Sequence, residues 1–161
     1  MARGNKALGS LGATASVSVL QSGSPANLMD ENGGTECEWR FDNGTPRAQW
    51  VQINLDQIYY IDSVIITWYS DPSPLYWMVN WDLQDATSSG GPWTTLQSFT
   101  TTHGNTPETY TLTTPASARY WRLFRTDTGS AGPGSYTNAD AYSIELWGDV
   151  PPHGRSFGVI V

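Results

Sequence analysis

The side chains best placed to do chemistry here are oxygen-bearing turns and aromatic rings set in polar loops. The turn Asp30-Glu31-Asn32-Gly33-Gly34-Thr35 gathers carboxylates, an amide and a hydroxyl within six residues. Calcium takes six to eight such oxygens, and glycines let a backbone close tightly around an ion. The same turn also reads as an Asx-type turn whose side chains cap their own backbone. A second set lies further on. Tyr69, Asp71 and Tyr76 fall in one Pro- and Ser-rich loop; Tyr136 and Asn138 fall in another, with Arg125 at its base, and Arg40 follows Trp39. An aromatic face flanked by planar polar groups is the chemistry that grips a sugar ring. The alternative is that these tyrosines only cover core edges.

No catalytic set accompanies them. His103 and His153 stand alone in loops, and the chain has no Gly-x-Ser-x-Gly elbow, His-Glu-x-x-His or phosphate loop. The sequence therefore predicts a binding protein and not an enzyme. A net charge of −7 and a single lysine, Lys6, provide no basic stripe for nucleic acid. No apolar run approaches a membrane span. Residues Met1–Leu20 are interrupted by Gly4, Gly9 and Gly12 and do not form a signal peptide. Only 14% of residues are charged, against about 25% on average, which leaves a surface of Ser, Thr, Asn and Gly suited to an extracellular or particle-bound site. Cys37 is the only cysteine, which excludes an internal disulfide and suits a small buried hydrophobe.

The elements that must position these loops are strands. Val51, Ile53 and Leu55 alternate with polar neighbours; Val64, Ile66 and Trp68 resume after a short turn; Trp77–Leu83 and Tyr142–Leu146 repeat the pattern. Thr14–Leu20, Thr94–Phe99, Thr109–Leu112 and Ala118–Arg125 are β-branched and aromatic. With turn formers between them, these predict an all-β antiparallel sandwich or jelly roll over residues 14–149. Residues 1–13 read as a flexible arm and 150–161 as a tail with an apolar end. Trp50, Trp68, Trp81, Trp93, Trp121 and Trp147 lie in or beside strands and are expected to fill the core.

Four segments in order resemble the coagulation-factor type C (discoidin) family and the related family 32 carbohydrate-binding modules. They are Ala26–Asp30 through Thr35 to Trp39, Gln49–Leu55 followed by Ile61–Val64, Ala118–Leu123, and Ser143–Gly148. The sequence departs from the family where Gln57 replaces a turn glycine and where paired cysteines are absent, which places it nearer bacterial or viral members. The resemblance implies a discoidin-like jelly roll. It also implies a structural calcium ion held by Asp30, Asn32, Thr35 and Glu145, and a ligand site on the loops. The expected ligand contacts are Arg40, Tyr69, Asp71, Tyr76, Arg125, Tyr136 and Asn138. The expected function is recognition of a glycan or surface receptor. The alternative is a structural or adhesive virion subunit, such as a phage capsid decoration or tail protein, that meets other subunits through its termini. Either expectation places the protein outside a cell or on a virion surface.

Overall fold

The computed structural model describes residues 3–30, 32, 34–40, 49–69, 78–102, 107–125 and 138–149, with backbone alone at Arg40 and Asn138. The described strands are β1 (Gly4–Asn5), β2 (Thr14–Val17), β3 (Leu20–Gly23), β4 (Cys37–Arg40), β5 (Trp50–Trp68), β6 (Asn80–Ala86), β7 (Thr94–Thr100), β8 (Glu108–Arg125) and β9 (Asn138–Asp149). Every described pairing is antiparallel. Strand order is β3-β4-β9-β5-β8-β6-β7, with β1 on β9 and β2 on β5.

Two long strands serve both layers of the sandwich. Trp50–Asn54 of β5 pairs with β2 and with Tyr120–Phe124 of β8. Tyr59–Trp68 of β5 pairs instead with β9 and with the earlier half of β8. Between these halves the register slips, and it slips again between Ile61 and Ser63. A bulge adds a residue and turns the strand's facing side over. Val51, Ile53, Leu55 and Ile61 can therefore point inward together with Val64, Ile66 and Trp68, all of them buried. The short turn expected before Val64 is a bulged bend within one strand. Each fully buried Leu or Ile contributes roughly 1.5–3 kcal/mol, so this phase change is strongly selected over a straight strand that would expose half of them.

Tryptophan divides into two groups. Trp39, Trp68, Trp81 and Trp121 are buried in the core. Trp50, Trp93 and Trp147, expected there too, are half-buried. Trp50 is out of phase with Val51 and Ile53, and Trp147 with Leu146, so the pleat turns both rings outward. Trp93 lies under the Arg122 guanidinium, 4.4 Å from the ring centre. The Trp77–Leu83 alternation settles into a strand that begins at Asn80; Trp77 lies outside the described residues. The stretch expected at Thr14–Leu20 is two strands, separated by a bend at Ser18 and Val19.

Residues 3–13 also differ from the expected arm. Gly4 and Asn5 pair with Gly148 and Trp147, the Lys6 N–H donates to the Leu146 carbonyl (2.7 Å), and Ala7 and Ala13 are buried. Arg3 reaches Asp62 through two hydrogen bonds, of 3.0 and 2.7 Å. Small side chains cannot bury much area, but they let a backbone lie close enough to extend a sheet. Gly148 is required for the same reason, because a Cβ there would sit 1.9 Å from the Tyr60 carbonyl oxygen. Cys37 is buried, and burial pushes its thiol up to about 12. The tail, 150–161, lies outside the described residues.

Candidate ligand-binding end

The strand ends that bound the candidate loops converge on one end of the sandwich. Trp68, closing β5, donates its indole N–H to the Tyr110 hydroxyl at 3.4 Å. The Tyr110 ring meets Trp81, near the start of β6, edge-on at 4.9 Å. The Trp81 N–H reaches the Thr101 hydroxyl after β7, and that hydroxyl donates to the Met78 carbonyl (3.3 and 2.6 Å). Trp81 lies opposite Arg125, the last residue of β8. Edge-to-face rings of this kind add about 0.5–1.5 kcal/mol beyond the area they bury, so this end has a stiff aromatic floor.

Gln49 completes it. The residue is fully buried; its amide N–H donates to the Trp39 carbonyl at 2.9 Å and its amide oxygen accepts from Arg125 Nη1 at 3.1 Å. The Arg125 backbone N–H also donates to the Gln49 carbonyl (2.9 Å). One side chain thus ties the ends of β4, β5 and β8 together, because a primary amide both donates and accepts. Sequence reasoning named Gln49 only as part of a motif. A polar residue in a position that the flanking strands bury was the available signal.

Of the expected ligand contacts, Arg40, Tyr69, Arg125 and Asn138 come to this end. Arg40 lies directly opposite Asn138 across β4 and β9. The Tyr69 N–H donates to the Asp140 carbonyl at 3.0 Å, and the Tyr69 ring packs against Tyr142, with centroids 5.6 Å apart. Asp71, Tyr76 and Tyr136 lie outside the described residues, as do His103 and His153.

Asp140 is an unforeseen feature of this end. It is buried, and its Oδ1, like the Trp39 indole nitrogen, has no hydrogen-bond partner among the described residues. Burial, with the charges of Glu36 and Glu38 added, pushes its carboxyl up to about 8. Glu38 lies directly across the ladder from it.

All four expected metal ligands are among the described residues. In the turn, the Asn32 N–H donates to Asp30 Oδ1 (2.8 Å), the Thr35 hydroxyl donates to Asp30 Oδ2 (2.7 Å), and the Gly34 N–H donates to Asn32 Oδ1 (3.1 Å). Asp30, Asn32 and Thr35 are therefore together, in the hydrogen-bonding pattern of an Asx turn. Their oxygens are of the types that calcium takes. Glu145 stands opposite Ile65 on β9, and its carboxylate accepts the Trp147 indole N–H at 2.6 Å. Among the described residues no three His, Cys, Asp or Glu side chains form a metal cluster.

The chain belongs to the F5/8 type C domain family, whose model matches residues 12–139. Solved structures share the fold. The family 32 carbohydrate-binding module of C. perfringens NanJ, in complex with galactose, matches with a TM-score of 0.70 at 16% identity, covering 91% of this chain and 99% of that one. The family 32 module of AlyQ, in complex with 4,5-unsaturated mannuronic acid, gives 0.62 at 18% identity, covering 82% and 92%. Chitosan-binding module 1 of a chitosanase/glucanase from Paenibacillus sp. IK-5 gives 0.66 at 23% identity, covering 90% and 99%. No curated protein sequence matches the chain.

Proposed function

We propose that this domain is a non-catalytic module that binds carbohydrate through the loops above the Trp68–Tyr110–Trp81 floor. The observation that carries this is the convergence of Arg40, Tyr69, Arg125 and Asn138 on one end of the sandwich. Supporting it, modules with the same fold are described in complex with galactose and with an unsaturated mannuronic acid, and a third is named chitosan-binding. Tyr69, Tyr76 and Tyr136 are assigned to stacking, and Arg40, Asp71, Arg125 and Asn138 to hydrogen bonds with hydroxyls. A glycan array identifies the sugar, and titration of Tyr69→Ala, Tyr76→Ala and Tyr136→Ala against the hit tests the assignment. Losing one stacking ring is expected to cost roughly 1–3 kcal/mol, about tenfold or more in affinity. An array without hits contradicts the reading. The virion-subunit alternative has no structural observation in its favour.

A calcium ion held by the Asp30–Thr35 turn is the second part of the proposal, with Asp30, Asn32 and Thr35 as ligands and Glu145 as the expected closing carboxylate. A bound ion would stabilise the native state by mass action. Chelation should lower the melting temperature, added calcium should restore it, and Asp30→Ala should abolish the response. A melting temperature indifferent to calcium would leave the turn as a self-capped Asx turn.

A further inference from the structure

At the end opposite the loops, the bends of β5 and β8 and the β6–β7 hairpin enclose an open groove of about 290 Å³. That volume stands at the lower limit of small-molecule pockets, near 300 Å³, and suits a single ring better than a chain. Ile58 and Pro92 supply an exposed apolar surface over a floor that includes the buried Ala86 and Ala118, with Ile58 54% exposed. Asp85, Thr87, Thr94 and Ser117 supply polar groups around it. These polar groups are unspent. Among the described residues the Asp85 carboxylate takes only its own backbone N–H, and no hydrogen bond engages the Thr87, Thr94 or Ser117 hydroxyls. Arg119, also at the groove, is already engaged, since its Nε donates to Asn54 Oδ1 and the Leu55 carbonyl, both at 3.0 Å.

We propose that this groove is a second binding site, for a single neutral pyranose, independent of the loop end. An apolar patch covers the C–H face of a sugar ring, while hydroxyls and a carboxylate bind its hydroxyl groups. The Asp85 carboxylate and the Arg119 guanidinium, whose charge its neutral partners Asn54 and Leu55 leave in place, offset one another, so the groove offers no net positive charge to an acidic sugar. Partial burial raises the Asp85 carboxyl above its ordinary value, as expected for a carboxylate on a wall partly shielded from water. Sites at both ends would let one domain bridge two glycans and gain avidity without new contacts.

The test is an amide-resolved NMR titration with galactose, glucose and N-acetylglucosamine as neutral probes and glucuronate as the acidic counterpart. The expected result is saturable shifts at Thr87, Thr94 and Ser117 with at least one neutral sugar and weaker shifts with glucuronate. Thr94→Trp, an exposed position whose new ring fills the groove, should abolish them, and Asp85→Ala should weaken binding at least fivefold. Tyr76→Ala should leave them unchanged. No saturable shift at these amides with any neutral probe overturns the proposal, as does a shift that survives both groove substitutions. Groove shifts without loop-end shifts would uphold this site while the glycan array decides the loop-end reading, so the two fail separately.

Discussion

The loop-bearing end of the sandwich rests on large rings, with Tyr110 in contact with both Trp68 and Trp81 and Gln49 locking three strand ends. The opposite end is made of bends, where β5 and β8 cross between layers, and the groove there is lined by Ile58, Ser117 and the buried Ala86 and Ala118. Large interlocked rings resist rearrangement because interiors are packed as densely as crystals. Loops anchored to such a floor can vary in sequence without moving the frame. Small residues at a bend cannot fill the space between layers, and a groove remains. The difference shows how one sheet supplies a rigid platform at one end and a shallow cleft at the other.

Breaking the floor should have the largest effect. Trp81→Ala removes a buried ring that touches Tyr110 and Phe99. It is expected to cost about 3–5 kcal/mol, read as a drop in the urea midpoint, and to abolish sugar binding. An equally large loss from Thr94→Ala, on the exposed rim of the groove, would erase the contrast between the ends.

Gln49→Ala probes the lock on its own. It leaves the Trp39 carbonyl and the Arg125 guanidinium without their amide partner, which should cost roughly 1–3 kcal/mol. Affinity should fall further than for a peripheral loop substitution, because Arg125 loses its orientation. Urea denaturation and calorimetric titration read the two effects separately.

A separate handle on the loop end is a pH dependence. Asp140 has a folded-state carboxyl pushed from 3.8 to about 8. A group raised in this way contributes stability that is full below pH 3.8 and is lost as pH rises towards 8. The melting temperature should therefore decline from pH 5 to 8, and Asp140→Asn should flatten that decline. Identical slopes for wild type and variant would contradict the assignment.

Most of the frame was legible from alternation and resemblance. Val51–Leu55, Val64–Trp68 and Tyr142–Leu146 each lie within strands, because a half-buried strand must alternate. The outward turn of Trp50 and Trp147 was legible in their phase against Val51 and Leu146, whereas Trp93 precedes β7 and has no alternation to read. Alternation could not place Gly4–Asn5 on β9, because two residues held by backbone hydrogen bonds carry no side-chain pattern. Arg40 and Asn138 could be named as candidates from the sequence but their pairing could not, since it depends on a ladder between segments far apart in the chain. The burial of Asp140 was hidden for the same reason.

The measurement that bears most directly on the loop-end assignment is calorimetric titration of the best glycan-array hit against wild type and Tyr76→Ala, with the melting temperatures of both recorded alongside. The account predicts affinity weakened about tenfold or more at an unchanged melting temperature. Equal affinity in the two proteins, or binding lost only together with folding, would contradict it.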